Sequence, residues 1–155
     1  MSVFYLDSSA IVKRYSPEIG SAWIETLADA QAGHTLIFSE IALAEVAAAL
    51  AAKSRAPGGP SLQERDLALK RFLADNDAQY QLMDVKRQII DLAVKLTQRQ
   101  KLRGCDALHL ATALVANEAL LAEELPPLTF VAADSDLLTA ARAEGLATEN
   151  PNLYP

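Results

Sequence analysis

The chain has one cysteine, Cys105, among 155 residues. No internal disulfide can form, which excludes the cross-linked framework of a small secreted domain. No apolar run reaches the ~18 residues of a membrane-spanning helix. Residue 1 onward lacks the basic stretch and long apolar segment of a secretory leader. Internal repeats and low-complexity tracts are missing as well. So is any excess of basic charge: 14 Lys and Arg face 20 Asp and Glu, for a net charge of −6. That balance argues against a non-specific nucleic-acid coat. It leaves a nuclease open, because a metal-dependent nuclease gathers carboxylates whose charge the metal offsets. These absences together predict a cytoplasmic protein with no membrane association.

What is present is apolar. Hydrophobic residues make up 51% of the chain, enough for one core at a length usual for one domain. Residues 3–6 and 35–38 read as buried strands, 80–85 as a third, 128–133 as a fourth and 146–149 as a weak fifth. Helices are predicted over 9–15, from Pro17 to Ala32, from a Ser39 cap to Lys53, and from a Ser61–Glu64 capping box to Asp77. Further helices are predicted up to Gln100, over 103–123 and up to Glu144, with Gly145 as a stop. The segment 54–61, SRAPGGPS, is a loop between helices. Strands alternating with helices predict a three-layer α/β/α fold with a central parallel sheet of four or five strands, residues 1–155 forming one domain. In such sheets the working site lies at the carboxyl ends of the strands.

Four acids border apolar segments. Asp7 follows the strand in FYLDSSAIVKRY, residues 4–15, and Asp134 follows the fourth strand. Each is explained equally by a helix cap or by a functional site. Glu45 is the one charged residue in IALAEVAAALAA, residues 41–52, where it either emerges on a narrow solvent stripe or is buried and requires a partner. Asp106, in RGCDALHLATALVA, residues 103–116, sits in a helical first turn, where the dipole favours an acid, and also borders an apolar run. Clustered without a counter-ion, four carboxylates repel one another. Oxygen-only ligands suit Mg²⁺ or Mn²⁺, which can polarise a phosphate and lower the pKa of a bound water.

These blocks resemble the PIN-domain family, and within it the VapC-like toxins of toxin–antitoxin pairs. YLDSSAIVKRY is similar to the family's opening block, SEIALAEVAAAL to its second and RGCDALHLATAL to its third. TFVAADSDLLTAARAEGL is similar to the closing block, followed by the NP at 150–151. The resemblance covers nearly the whole chain. It implies a PIN-like parallel sheet and an Mg²⁺-dependent endoribonuclease, with Mn²⁺ as substitute. Asp7, Glu45, Asp106 and Asp134 would be the catalytic and metal-binding residues. It also implies an RNA substrate, a homodimer and inhibition by a cognate antitoxin. One departure is Ala132, where many members carry Thr or Ser two residues before the fourth acid; Asp136 then becomes a candidate to share that role. Ser9 matches a small hydroxyl residue of the opening block and is a candidate to orient Asp7, or simply a helix cap.

Lys13, Arg99 and Arg103, with Lys95, Lys101 and Arg14, are candidate RNA-phosphate contacts or a solvated face. His109 reads as a packed or hydrogen-bonding residue rather than a ligand, since Mg²⁺ prefers oxygen. Cys105, Trp23, Tyr15 and Phe38 read as packing residues. Two rival functions stand beside the nuclease. One is a non-catalytic PIN-like protein that binds RNA or a partner. The other is an Mg²⁺-binding phospho-acceptor signalling domain. The latter calls for adjacent acids after the first strand and a late lysine, whereas Ser8 follows Asp7 and no lysine follows Lys101.

Overall fold

The computed structural model describes all 155 residues. Strands β1 (Val3–Leu6), β2 (Thr35–Ser39), β3 (Gln81–Met83), β4 (Thr129–Val131) and β5 (Ala147–Glu149) form one sheet in the order β3-β2-β1-β4-β5. Every pairing is parallel. Helices α1 (Ser8–Tyr15), α2 (Ser21–Ala28), α3 (Ile41–Arg55), α4 (Leu62–Gln79), α5 (Arg87–Arg99), α6 (Gly104–Ala122) and α7 (Ser135–Ala143) make the connections. The expected three-layer α/β/α architecture is present, with five strands.

Alternation along each strand divides the core in two. Tyr5, Ile37 and Phe130 point to one face, where α5, α6 and α7 supply Leu96, Leu110, Ala111 and Leu137. Leu6, Leu36, Phe38 and Val131 point to the other, against Ile11, Ile24, Val46 and Phe72 from α1 to α4. Such double coverage explains why the strands read as apolar runs rather than as alternating patterns. Helix α6 has 19 residues and a mean hydropathy that would permit a membrane span. Its apolar side is instead committed to the core, with Ala107, Leu110, Ala111 and Ala113 fully buried.

Topology places the site. From β1 the chain builds outward through β2 and β3, then returns to β1's other edge with β4 and β5. The direction of winding therefore switches between β1 and β4, and sheets of this kind carry their sites beyond the strands' carboxyl ends at such a switch.

Several local expectations are corrected. The second helix begins at Ser21, not Pro17. Residues 16–20 are held as a turn because Lys13 Nζ donates to Ile19 O at 2.9 Å and Ser21 Oγ donates to Lys13 O at 2.6 Å. That helix also ends early, at Ala28, and Asp29 caps a separate single turn at Ala30–Ala32 before Gly33. Ser39 does not cap α3. It is the last residue of β2, paired with Met83, and Glu40 holds the cap position without a side-chain bond. β4 stops at Val131, so Asp134 lies beyond the strand. The Ser61 capping box forms as expected: Ser61 Oγ accepts from Glu64 N at 3.1 Å and Ser61 N donates to Glu64 Oε2 at 2.7 Å.

The turn before α2 depends on Gly20, whose φ is +89° and whose missing Cβ would lie 2.4 Å from Pro151 O. Gly145 also has positive φ, +92°, but faces open space. Gly20→Ala should lose about 3 kcal/mol or more, combining left-handed strain with overpacking. Gly145→Ala should lose only about 1 kcal/mol. Urea unfolding of the two variants checks the difference; equal losses would contradict the close approach to Pro151.

Candidate active site

Asp7 follows β1 directly. Its backbone N–H still extends the sheet, donating to Val131 O at 3.1 Å. Its side chain turns to cap α1, with Oδ1 accepting from Ala10 N at 3.2 Å and from Ser9 Oγ at 2.7 Å. Ser9 is therefore not the cap. Its Oγ also accepts from Ala133 N at 3.0 Å, fastening the chain after β4 to the chain after β1. That bond draws the segment carrying Asp134 toward Asp7. Asp134 in turn caps α7, accepting from Leu137 N at 2.9 Å.

Asp7 is only 5% exposed. Its carboxyl stands at about 6: burial pushes it up, His109, the Ser9 hydroxyl and the Ala10 N–H pull it part of the way back, and Asp106 adds a like-charge push. Asp106 is thus within electrostatic reach of Asp7. It stands in the first turn of α6, and its Oδ2 accepts from Arg103 Nε at 3.2 Å.

Glu45 projects from α3 with its side chain one-third exposed. Its Oε1 accepts from Ser8 Oγ at 2.9 Å and meets His109 Nε2 at 2.5 Å. Burial raises its pKa, but the His109 and Ser8 bonds, with the charge of Arg103, outweigh this and hold the pKa below the usual carboxylate value. Neither proposal for this helix in isolation was complete: Glu45 is partly exposed and also partnered.

His109 is buried, as expected, and both of its ring nitrogens are occupied, with Nδ1 lying 2.8 Å from the Tyr5 hydroxyl. No local pattern signals that Tyr5 and Ser8 converge on it. The spacing of Asp106 and His109, one turn apart on α6, was the one available signal.

Other candidates fall elsewhere. Lys13 is buried at the far end of α1 and binds Glu18 and Ile19 O, so it is not a surface contact for RNA. Arg99 is paired with Glu144 through three hydrogen bonds. Arg103, 83% exposed, stands beside Asp106 with its charge open to solvent. Asp136 is exposed and lies 3.3 Å from Lys101 Nζ. Cys105 is exposed rather than packed, and Trp23 is only partly buried, stacked on Tyr154 at 4.4 Å. Tyr15 and Phe38 are core residues, as read.

The donor set fits a hard divalent cation in chemistry. Each of the four carboxylates commits one oxygen to protein partners and keeps the other free: Oδ2 of Asp7, Oε2 of Glu45, Oδ1 of Asp106 and Oδ2 of Asp134. As placed, no three His, Cys, Asp or Glu side chains stand close enough to hold one ion. The protein's own cations and hydroxyls occupy the inner oxygens instead.

The profile of the PIN domain matches residues 4–142. This chain belongs to the PIN-domain family. Two relatives from Mycobacterium tuberculosis, Ribonuclease VapC45 and Ribonuclease VapC49, are each 33% identical to this PIN-domain protein over 156 aligned positions, covering 100% of both chains. Among solved structures, a toxin-antitoxin complex from Klebsiella pneumoniae contains a chain of the same fold. Its TM-score is 0.62 at 16% identity, covering 96% of this chain and 97% of that one. VapBC2 from Rickettsia felis, bound to a promoter DNA fragment, gives 0.58 at 17% identity, covering 96% and 98%. At these identities the two structures speak for the fold of this PIN domain alone.

Charge burial at Asp7 has a measurable sign. In the fold the carboxyl releases its proton near pH 6, against 3.8 without the fold. Between those values the folded state holds more protons than the unfolded state, so stability falls as pH rises. Above pH 6 the full penalty remains, about 3 kcal/mol for roughly two pKa units. Asparagine keeps the Oδ1 acceptor and caps equally well. Asp7→Asn should therefore match the wild type near pH 4 and exceed it by about 1–3 kcal/mol at pH 8. Urea unfolding in chelator across that range checks this; a difference independent of pH would contradict the buried charge.

Proposed function

We propose that this PIN-domain protein is a metal-dependent endoribonuclease and the toxin member of a toxin–antitoxin pair. The observation that carries the reading is Asp7: a carboxylate buried at the switch point, with one oxygen bound and the other free, and a second acid near enough to raise its pKa. A fold tolerates that penalty at a functional site. The ribonuclease names of the two Mycobacterium tuberculosis relatives support the reaction class. The toxin-antitoxin complexes among structures of the same fold support a separate antitoxin chain as partner. A homodimer is part of the same reading, carried by the family resemblance.

Asp7, Asp106, Glu45 and Asp134 would hold Mg²⁺, or Mn²⁺ in its place, through their free oxygens. A bound divalent ion polarises a phosphodiester and makes a bound water more acidic. The chain's own contributions are distinct. Ser9 fixes Asp7 and ties the Asp134 segment to it. Ser8 holds Glu45. Arg103, exposed beside Asp106, would offer its remaining guanidinium N–H groups to an RNA phosphate at the same acid. Asp136 and Lys101 sit at the rim, where they would influence RNA approach rather than the reaction.

A second reading, a non-catalytic PIN-like binding protein, is favoured by one observation: the acids do not form a ready-made coordination sphere. One experiment separates the two. Purified protein is incubated with single-stranded RNA in Mg²⁺, in Mn²⁺ and in EDTA. Cleavage with either metal, none in EDTA, and a loss of more than about 100-fold in folded Asp7→Asn are expected, the scale reached even by residues outside the metal's own ligands. RNA binding without cleavage, or equal cleavage by the variant, would select the binding protein or displace Asp7.

A further inference from the structure

Glu45 has the longest side chain of the four acids. It stands on an alanine-rich helix, and only two neighbours fix it: Ser8 Oγ at 2.9 Å and His109 Nε2 at 2.5 Å. His109 is 2% exposed and is itself anchored from below, Nδ1 to the Tyr5 hydroxyl at 2.8 Å. Tyr5 is fully buried in the central strand, and its ring stacks on Phe130 of β4 at 5.4 Å. A continuous polar chain thus runs from the middle of the sheet, through α6, to the carboxylate on α3. Its members are 104 and 64 positions apart in sequence.

The direction of the bonds follows from the donor inventory. A carboxylate only accepts, so Nε2 carries the proton of the Glu45 bond. The buried Tyr5 hydroxyl, whose own ionisation burial suppresses, closes the other end at Nδ1. With both nitrogens committed, the ring has none left for a metal. A buried imidazole requires partners for both ring nitrogens. Here those partners form one line that ends on a candidate site acid.

We propose that His109 is a positioning residue: with Tyr5 it forms a buried strut that fixes Oε1 of Glu45 and so presets the carboxylate, Oε2 free, for a divalent cation. This inference rests on the proposed metal site. Partners lying one bond behind a ligand orient it and tune its affinity. Asp106 and His109 occupy one face of α6, one turn apart, so the helix that carries one acid also braces another.

The test uses the full chain and the variants His109→Leu, His109→Gln and Tyr5→Phe, each checked for folding by circular dichroism. Mn²⁺ binding is measured by EPR titration without RNA, and kcat and KM are measured on a single-stranded RNA. In His109→Leu, Mn²⁺ affinity should fall about 10- to 100-fold. Its kcat should fall as well, while KM for RNA stays unchanged. Glutamine offers a donor near the Nε2 position, so His109→Gln should recover most of the lost affinity. Tyr5→Phe should shift affinity in the same direction as leucine, by less. A folded His109→Leu that binds Mn²⁺ and cuts RNA like the wild type overturns the proposal. So does a His109→Gln no better than leucine, which makes the role purely one of packing. Should the leucine variant not fold, wild-type Mn²⁺ affinity in Tyr5→Phe overturns it. A wild type that neither binds Mn²⁺ nor cuts RNA overturns the proposed function itself, a result distinct from these.

Discussion

The fold is organised around a charge at the end of its central strand. Asp7 continues the β1 ladder through its backbone, caps α1 through its side chain, and is still left buried with its carboxyl pushed up to about 6. An asparagine or serine would cap the same helix without that penalty. An acid there is a local conflict with stability. The neighbouring arrangement follows from it. Ser9 and Ala133 close the gap between the ends of β1 and β4, and α1 and α7 are aimed so that an acid caps each.

The sheet separates two kinds of work. Its Leu6 and Phe38 face packs on α1 to α4, with the buried Tyr15 and Tyr80 hydroxyls paired and bonded to Asp75 and Arg14. The opposite face packs on α5 to α7 and contains the buried polar line that ends on a candidate acid, Tyr5 to His109 to Glu45. A buried polar chain is tolerable only if all members are satisfied, and here they are. Such a chain has little freedom to rearrange. The outer pairs, Arg103 with Asp106 and Lys101 with Asp136, are exposed and exchangeable. The candidate site therefore combines hydrogen-bonded inner acids with an exposed cationic rim.

Much of this was legible in the chain. The apolar strands, the alanine-rich helix around Glu45 and the Ser61–Glu64 box each act over a few residues; all are present, the strands and that helix with shifted ends and the box as expected. The failures have a common cause. Pro17 has the chemistry of a helix start, but Lys13, eight positions before Ser21, captures the intervening turn and delays the helix. Ser39 has the chemistry of a cap, but pairing with Met83 on β3 extends the strand through it. Lys13 and Arg99 carry the charge to meet RNA, yet Glu18 and Glu144 already engage them. In each case a contact made elsewhere in the fold overrode a sound local preference.

The sequence by itself determined the alternation of strands and helices, the double-sided core, and the identity of four acids placed against apolar segments. Those properties depend on periodicity and on composition within a window of a dozen residues. Tertiary structure decided which oxygen of each acid is engaged, that Ser9 bonds Ala133 124 positions away, and that Tyr5 reaches Glu45 through His109. Strand order brings those residues together, and strand order is a property of the assembled sheet, invisible to any local pattern.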